Sequence, residues 1–341
     1  MAPGSTTHLN WEAEALWQQL APLLPHLSVE VLARCESTNS TLIERARRTG
    51  GDPDAPVTVP GDLASFGTAR AHRGDTSAPG QRSADDTTPH GRREGDTDPC
   101  LLVAEQQTRG RGRMGRAWLS APGASLTFSL SLPLAPRDWS GLSLAIGLAI
   151  AEALDADAAA ARPPGARPRV MLKWPNDLWL VDERSEDSEP GGAKLGGILV
   201  ETVSVGRRRV CVVGIGLNVL PLPTSLAEGL GETRHACVQA LDEQITAPRV
   251  LARVAAPLVR ALLAFEQEGF APLAERYRAR DWLRGRAVTT TAAQVPGGIA
   301  EGVDESGALI VRTADGERHR IVSGEVSVRP AAGGPGPSPG R

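Results

Sequence analysis

An apolar run, Leu101-Leu102-Val103-Ala104, passes through Glu105-Gln106-Gln107 into Gly-Arg-Gly-Arg-Met-Gly-Arg-Ala-Trp over residues 110–118, and this junction constrains the chain more than any other stretch. Four apolar residues in a row read as a short buried strand. Beyond them come three glycines and, with Arg109, four arginines within residues 109–116. Glycine lets the backbone approach a ligand closely, and arginine supplies planar donors that are always charged. The pair of residue types describes a loop that wraps an anion, a phosphate or a carboxylate. Gly110, Gly112 and Gly115 also satisfy G-x-G-x-x-G, but a dinucleotide loop needs a helix next and an acidic residue about 20 positions on. Here Pro122-Gly123 marks a turn, and Leu126, Phe128, Leu130 and Leu132 alternate with Ser and Thr, which predicts a half-buried strand.

Charge weighs against a nucleic-acid surface. The chain carries a formal net charge of −3, and no second basic cluster lies near the loop to extend a phosphate-tracking groove. Its 341 residues, 41% hydrophobic and 23% charged, suit one large domain with a smaller one. The longest apolar stretch, near Leu142 to Leu154, is too short to span a bilayer, and Met1 to Asn10 has no secretory pattern. Cysteines at 35, 100, 211 and 237 lack metal-ligand spacing, so reduced thiols and a cytoplasmic location are expected, with no resident metal.

Along the chain, Trp11 to Leu24 has helical periodicity, Val29 to Leu32 reads as a strand, and Ser37, Thr38 or Asn39 can cap a helix from about Thr41 to Arg48. Residues 67–99 are nearly devoid of apolar side chains and read as a disordered insert. Ser140 to Leu154 predicts a helix, Val170 to Leu180 a strand containing Lys173-Trp174-Pro175-Asn176-Asp177, residues 182–193 a polar loop, and Lys194 to Thr202 a strand. Val210 to Gly214 predicts another strand, ending in Gly214-Ile215-Gly216-Leu217-Asn218. Helical patterns return at Arg249 to Glu268 and Leu273 to Trp282. From Arg286 to Val328, short Val-rich runs split by glycine turns suggest a small all-β barrel. Residues 331–341 read as a tail.

Taken in order, Ser37-Thr38-Asn39, Gln107 with the Arg-Gly loop, Lys173-Trp174-Pro175-Asn176-Asp177, the Lys-Leu-x-Gly-Ile-Leu-Val-Glu run from Lys194, and Gly214 to Asn218 resemble biotin protein ligases. The resemblance spans roughly Val31 to Arg329, the two inserts excepted. It implies an α/β (α+β) architecture: a mixed sheet flanked by helices over residues 1–284, like class II aminoacyl-tRNA synthetases and biotin ligases, and a small SH3-like β-barrel over 285–330. The implied activity makes biotinyl-5′-AMP from biotin and ATP and transfers biotin to one lysine of a carboxyl carrier protein. By resemblance Arg111, Arg113 and Lys194 hold the carboxylate and α-phosphate. Ser37, Thr38, Asn39, Gln107, Gly110, Gly112, Ile198, Gly214 and Gly216 form the biotin site. Trp118 either closes over the acyl chain or fills the core. Lys173, Asn176 and Asn218 match nucleotide-side positions, with Mg²⁺ arriving on ATP. Asp177 either orients a proton acceptor or the incoming lysine, or pairs with an arginine, and Arg329 either reaches the nucleotide or decorates the barrel surface.

The implied partners are the biotin carboxyl carrier protein of acetyl-CoA carboxylase and those of other biotin-dependent carboxylases, with no nucleic acid or membrane, for a monomer or homodimer. About 30 residues precede the first matching strand, too few for the helix-turn-helix domain that some family members carry. Three rival functions stay open on sequence: ligation of lipoate or another acyl group, nucleic-acid binding through the Arg-Gly loop, and an inactive biotin-binding regulator.

Overall fold

The structure, a computed structural model, describes residues 9–50, 56–58, 97–160, 169–181, 191–227, 233–322 and 328–330. Most of the 67–99 insert and of the 182–193 loop, Ser323 to Ser327 and the 331–341 tail lie outside the described residues. In chain order the elements of the larger part are α1 (Ala13–Leu20), β1 (Ser28–Cys35), α2 (Thr38–Gly50), β2 (Val57–Thr58), β3 (Cys100–Gln107), β4 (Gly110–Arg111), β5 (Ala117–Trp118), β6 (Ser125–Pro133), α3 (Leu142–Ala160), β7 (Val170–Lys173), β8 (Asp177–Val181), β9 (Gly192–Val205), β10 (Arg208–Asn218), α4 (Thr224–Ala227), α5 (Ala247–Glu268) and α6 (Ala274–Arg278).

Eight strands form one mixed sheet in the order β1-β3-β6-β10-β9-β8-β7, with β2 also on β9. β1 runs parallel to β3, and the other pairings are antiparallel. β3 is buried on both faces because its successive side chains enter different cores. Leu101 and Val103 join the large core with α3 and α5, whereas Cys100 and Leu102 meet Leu42, Ile43 and Ala46 of α2. The same layering corrects β6. Its alternation predicted a half-buried strand, yet Ser125 to Leu132 are all buried, because α2 packs on the Ser/Thr face, where Ser129 finds partners, while Thr127 Oγ1 donates to Ala104 O of β3 at 2.7 Å. Ser129 Oγ lies 2.6 Å from both Thr38 Oγ1 and Asn39 Oδ1.

Two further expectations change. Val170 to Leu180 is a hairpin of β7 and β8 instead of one strand: Pro175 cannot donate to a ladder, and Trp174 to Asn176 form the turn. The helix expected to reach Trp282 stops at Arg278, because the following residues pair with β7. Leu172 N donates to Arg280 O (2.7 Å), and Trp282 N donates to Leu172 O (2.9 Å). Helix α5 ends where predicted, at Glu268, and Gly269 with φ +70° caps it.

The C-terminal strands are β11 (Ala287–Thr290), β12 (Gly297–Val303), β13 (Leu309–Arg312), β14 (Arg318–Ile321) and β15 (Val328–Pro330). They make an antiparallel sheet in the order β14-β13-β12-β11-β15, the small all-β C-terminal unit that was expected. This sheet docks against the larger one. The buried Trp174 donates its Nε1–H to Gly307 O (3.0 Å), and a Cβ at Gly307 (φ +81°) would stand 2.7 Å from Gly141 Cα.

Between the two parts, Asp281 is 6% exposed. One oxygen accepts from Leu283 N (3.0 Å), and Oδ2 is buried with no hydrogen-bond partner. Burial pushes its pKa up to about 6, against the opposing pull of backbone N–H groups and Arg284. The folded state therefore holds this proton more tightly than the unfolded chain, so the stability it contributes grows as pH falls through about 6 and is lost as pH rises through it. Asp281→Asn removes that dependence. The melting temperature of the parent minus that of the variant is expected to climb between about pH 7 and about pH 5; a flat difference would contradict the assignment.

Candidate functional site

The ends of β1, β3, β9 and β10, the β7–β8 turn and the Arg-Gly loop converge on a cavity of about 270 Å³. It is lined by Ser37, Thr38, Asn39, Gln107, Arg111, Gly112, Arg113, Trp118, Lys173, Asn176, Asp177, Lys194, Ile198, Gly214, Gly216 and Asn218. Gly110 lies outside the lining. The side chain of Arg329 lies outside the described residues.

One end of the cavity is neutral. Helix α2 starts at Thr38, three residues before the expected start, with Ser37 at its cap: Ser40 N donates to Ser37 Oγ (3.4 Å) and Thr41 N to Ser37 O (3.0 Å). Capping leaves Thr38 and Asn39 in the first turn, aimed at the sheet. Gln107 Oε1 accepts from Thr38 N (2.7 Å) and Thr38 Oγ1 (3.2 Å). Asn39 Nδ2 donates to Glu201 Oε2 (2.8 Å) and to Leu199 O (3.3 Å). The amide needs room: a Cβ at Gly214 would come 2.3 Å from Asn39 Oδ1.

Glu201 is a residue that the sequence did not single out. It is 5% exposed and accepts both a hydrogen bond from Asn39 and a forked pair from Arg111 Nη2, at 3.0 and 2.9 Å. Arg111, expected to hold only the ligand, is thus already fixed by a buried carboxylate.

The Arg-Gly loop folds back as a β4–β5 hairpin, pairing Gly110 with Trp118 and Arg111 with Ala117. Its tip turns at Met114 (φ +56°) and Gly115 (φ +68°). Gly110 serves the hairpin, since a Cβ there would meet Trp118 O at 2.4 Å. The indole of Trp118 lies over Gly216, where a Cβ would meet the ring at 2.4 Å. Trp118 therefore forms a wall of the cavity, its Nε1 buried with no hydrogen-bond partner.

The opposite end is charged. Lys194 Nζ donates to Asp177 Oδ1 at 2.8 Å, so Asp177 meets a lysine where an arginine was one expectation. Asn176 Nδ2 donates to Ile198 O (2.7 Å), and Arg113 Nη1 reaches Asn176 Oδ1 at 3.4 Å. Asn218 Nδ2 donates to Lys194 O and Ala236 O, both at 3.2 Å, and so fixes the backbone that carries Lys194. His235, absent from the expectations, flanks Lys194 through a parallel bridge and lines the cavity. Burial, and then the charge of Lys194, push its pKa down, while Asp177 pulls it up. Among the described residues no group of three or more His, Cys, Asp or Glu is placed to hold a metal ion.

Chemically the cavity pairs a neutral, hydrogen-bonding end with a cationic end, as an activated carboxylic acid joined to a nucleotide requires. Residues 90–218 match the family model described as the biotin/lipoate A/B protein ligase family, and residues 285–329 match the biotin protein ligase C-terminal domain. The bifunctional ligase/repressor BirA of Salmonella typhimurium is 36% identical over 241 residues, covering 69% of this chain and 67% of BirA. The biotin–[acetyl-CoA-carboxylase] ligase of Mycobacterium tuberculosis is 33% identical over 222 residues, covering 63% of this chain and 73% of the relative. The fold is similar to that of the biotin protein ligase of Aquifex aeolicus solved with biotin and ATP, with a TM-score of 0.57 at 23% identity over 89% of this chain and 99% of that one.

Proposed function

The chain belongs to the biotin protein ligase family, and from that membership we propose that it activates biotin with ATP to biotinyl-5′-AMP and then biotinylates a carrier lysine. The carrier is the biotin carboxyl carrier protein of acetyl-CoA carboxylase, with those of other biotin-dependent carboxylases as further substrates. ATP and carrier are met in the cytoplasm, where we place the protein; no helix among the described residues is long and apolar enough to cross a membrane.

The observation that carries this reading is the division of one cavity into the neutral Thr38–Gln107 end and the Lys194–Asp177 end. A ureido ring is uncharged and needs neutral donors and acceptors, which Thr38, Asn39 and Gln107 supply. A carboxylate approaching an α-phosphate meets a repulsion of about 4 kcal/mol at 4 Å and an effective dielectric near 20. Arg113, Arg111 and Lys194 offset it. In the first step a biotin carboxylate oxygen bonds to the α-phosphorus, and the bond to the bridging oxygen of pyrophosphate breaks. In the second the neutral lysine amine bonds to the acyl carbon, the bond to the AMP oxygen breaks, and the amine's proton departs. Asp177 orients Lys194 throughout. Mg²⁺ is expected on the triphosphate: among the described residues the one acidic side chain lining the cavity, Asp177, is already engaged by Lys194, and no step here passes through the ion.

Two experiments follow. With ATP, biotin and an apo carrier domain, mass spectrometry should find one added biotin on the carrier; addition of lipoate under the same conditions, or no addition from either acid, would count against this reading. Gly216→Ala places a methyl group in the indole of Trp118. Displacing that wall is expected to weaken biotin binding by about tenfold to a hundredfold, the scale of a lost apolar wall. Calorimetry measures it, and an unchanged Kd would mean that Trp118 is not part of the biotin site.

A further inference from the structure

A column of cations and rings runs from the cavity into the C-terminal domain. Lys173 Nζ stands 5.0 Å from the ring centroid of Trp179. Trp179 stacks on Trp282 with centroids 5.9 Å apart and planes 19° from parallel. On Trp282 rests the guanidinium of Arg286, 3.9 Å from the ring centroid. Lys173 lines the cavity. Arg286, immediately before β11, accepts a backbone hydrogen bond from Ala300 of β12 at 2.9 Å. The column therefore joins the two sheets.

The backbone follows the same route, since Leu172, the residue before Lys173, accepts a hydrogen bond from Trp282 N at 2.9 Å. Packing leaves the rings no slack: a Cβ at Gly192 would stand 2.8 Å from Trp282 and 2.9 Å from Trp179. Buried indoles usually place their N–H on an acceptor, yet neither Trp179 Nε1 nor Trp282 Nε1 has a hydrogen-bond partner. What is used at these positions is the ring faces, which attract cations electrostatically and best of all when they belong to tryptophan.

We propose that Trp179 and Trp282 are positioning residues that hold Lys173 at the triphosphate, so that the C-terminal domain, through Arg286, sets how well the cavity takes ATP. This rests on the reading that Lys173 faces the nucleotide. A lysine side chain has several rotors, and its ammonium is a point charge whose value to a phosphate depends on where it is held. The column restrains that charge through the ring face of Trp179.

The test is steady-state kinetics of adenylation with Lys173→Gln, Trp282→Leu, their combination, Trp282→Phe and Arg286→Gln. Trp282→Leu is expected to raise KM for ATP about threefold to tenfold, the equivalent of one lost cation–π contact, with KM for biotin and kcat changed by less than about twofold. In the Lys173→Gln background it should add nothing, and Trp282→Phe should restore most of the loss. An additive effect in that background, or equal losses for biotin and ATP, overturns the proposal. If Lys173→Gln raises KM for ATP and Trp282→Leu does not, the column alone fails. An unchanged KM for ATP in Lys173→Gln removes the placement of Lys173 itself, and the proposal with it. Arg286→Gln leaves no hole in the core and covers the case in which Trp282→Leu does not fold: it should raise the same constant by a smaller factor, and no rise would overturn the proposal.

Discussion

Lys194→Gln is expected to lower biotin-dependent adenylation by about a hundredfold to a thousandfold, the usual cost of removing one preorganised donor from a developing anion. The geometry adds a second loss. Lys194 Nζ is 2.8 Å from Asp177 Oδ1, and both line the cavity. Without the ammonium, the carboxylate faces the α-phosphate unscreened, and like charges at contact distance cost several kcal/mol in a partly dry site. Asp177→Asn introduced into the Lys194→Gln chain should therefore recover about fivefold to tenfold of the lost rate. Asp177→Asn alone should be mildly impaired, because it frees Lys194 from its orientation. Single-turnover formation of biotinyl-AMP measures all three. If the double variant is slower than Lys194→Gln by the full effect of Asp177→Asn, the two side chains act independently and the paired account is wrong.

The second large effect concerns stability. The side chain of Asp155 in α3 is 0% exposed, and its Oδ2 accepts from Arg280 Nη1 at 2.9 Å and from Arg169 N at 3.1 Å. Arg280 Nη1 also donates to Val170 O at 2.7 Å, and Arg280 O takes the backbone hydrogen bond of Leu172. This pair thus clamps the helix, β7 and the segment that leads to the C-terminal sheet. Removing one partner of a buried pair strands the other charge, so Asp155→Ala should cost about 3 to 5 kcal/mol. Urea unfolding is expected to show a lower midpoint at unchanged slope. Replacing both partners, Asp155→Leu with Arg280→Met, should recover much of the loss, because two apolar side chains leave no unpaired charge. A single variant within about 1 kcal/mol of the parent would show that water reaches the pair.

What the chain discloses before folding is uneven, and the reasons are physical. The end of β3 was legible because its apolar run gives way to Gly110 to Arg116, residues that a strand interior would not choose, whereas β10 runs past the expected end at Gly214, through Gly216, to Asn218. The partial burial expected for β6 came from reading its Ser/Thr face as solvent, and only the docking of α2 through Ser129, Thr38 and Asn39 makes that face interior. Trp282 looked helical because its periodicity with the preceding helix is good, whereas its backbone is claimed by Leu172, more than a hundred residues away. Glu201 stood inside a recognisable run but passed for a strand residue, since its partner Arg111 is 90 positions earlier. His235 has no local pattern at all; its place beside Lys194 is a consequence of the bridge to β9. Long-range pairing, rather than local propensity, decides each of these cases.

Exchange of labelled pyrophosphate into ATP in the presence of biotin tests the central claim most directly, because it requires the carboxylate, the α-phosphate and the cationic end of the cavity to meet before any carrier is involved. The account predicts exchange that depends on biotin, is absent with lipoate or without an acid, and collapses in Lys194→Gln. Binding of biotin without exchange, or exchange that lipoate supports equally, would contradict it.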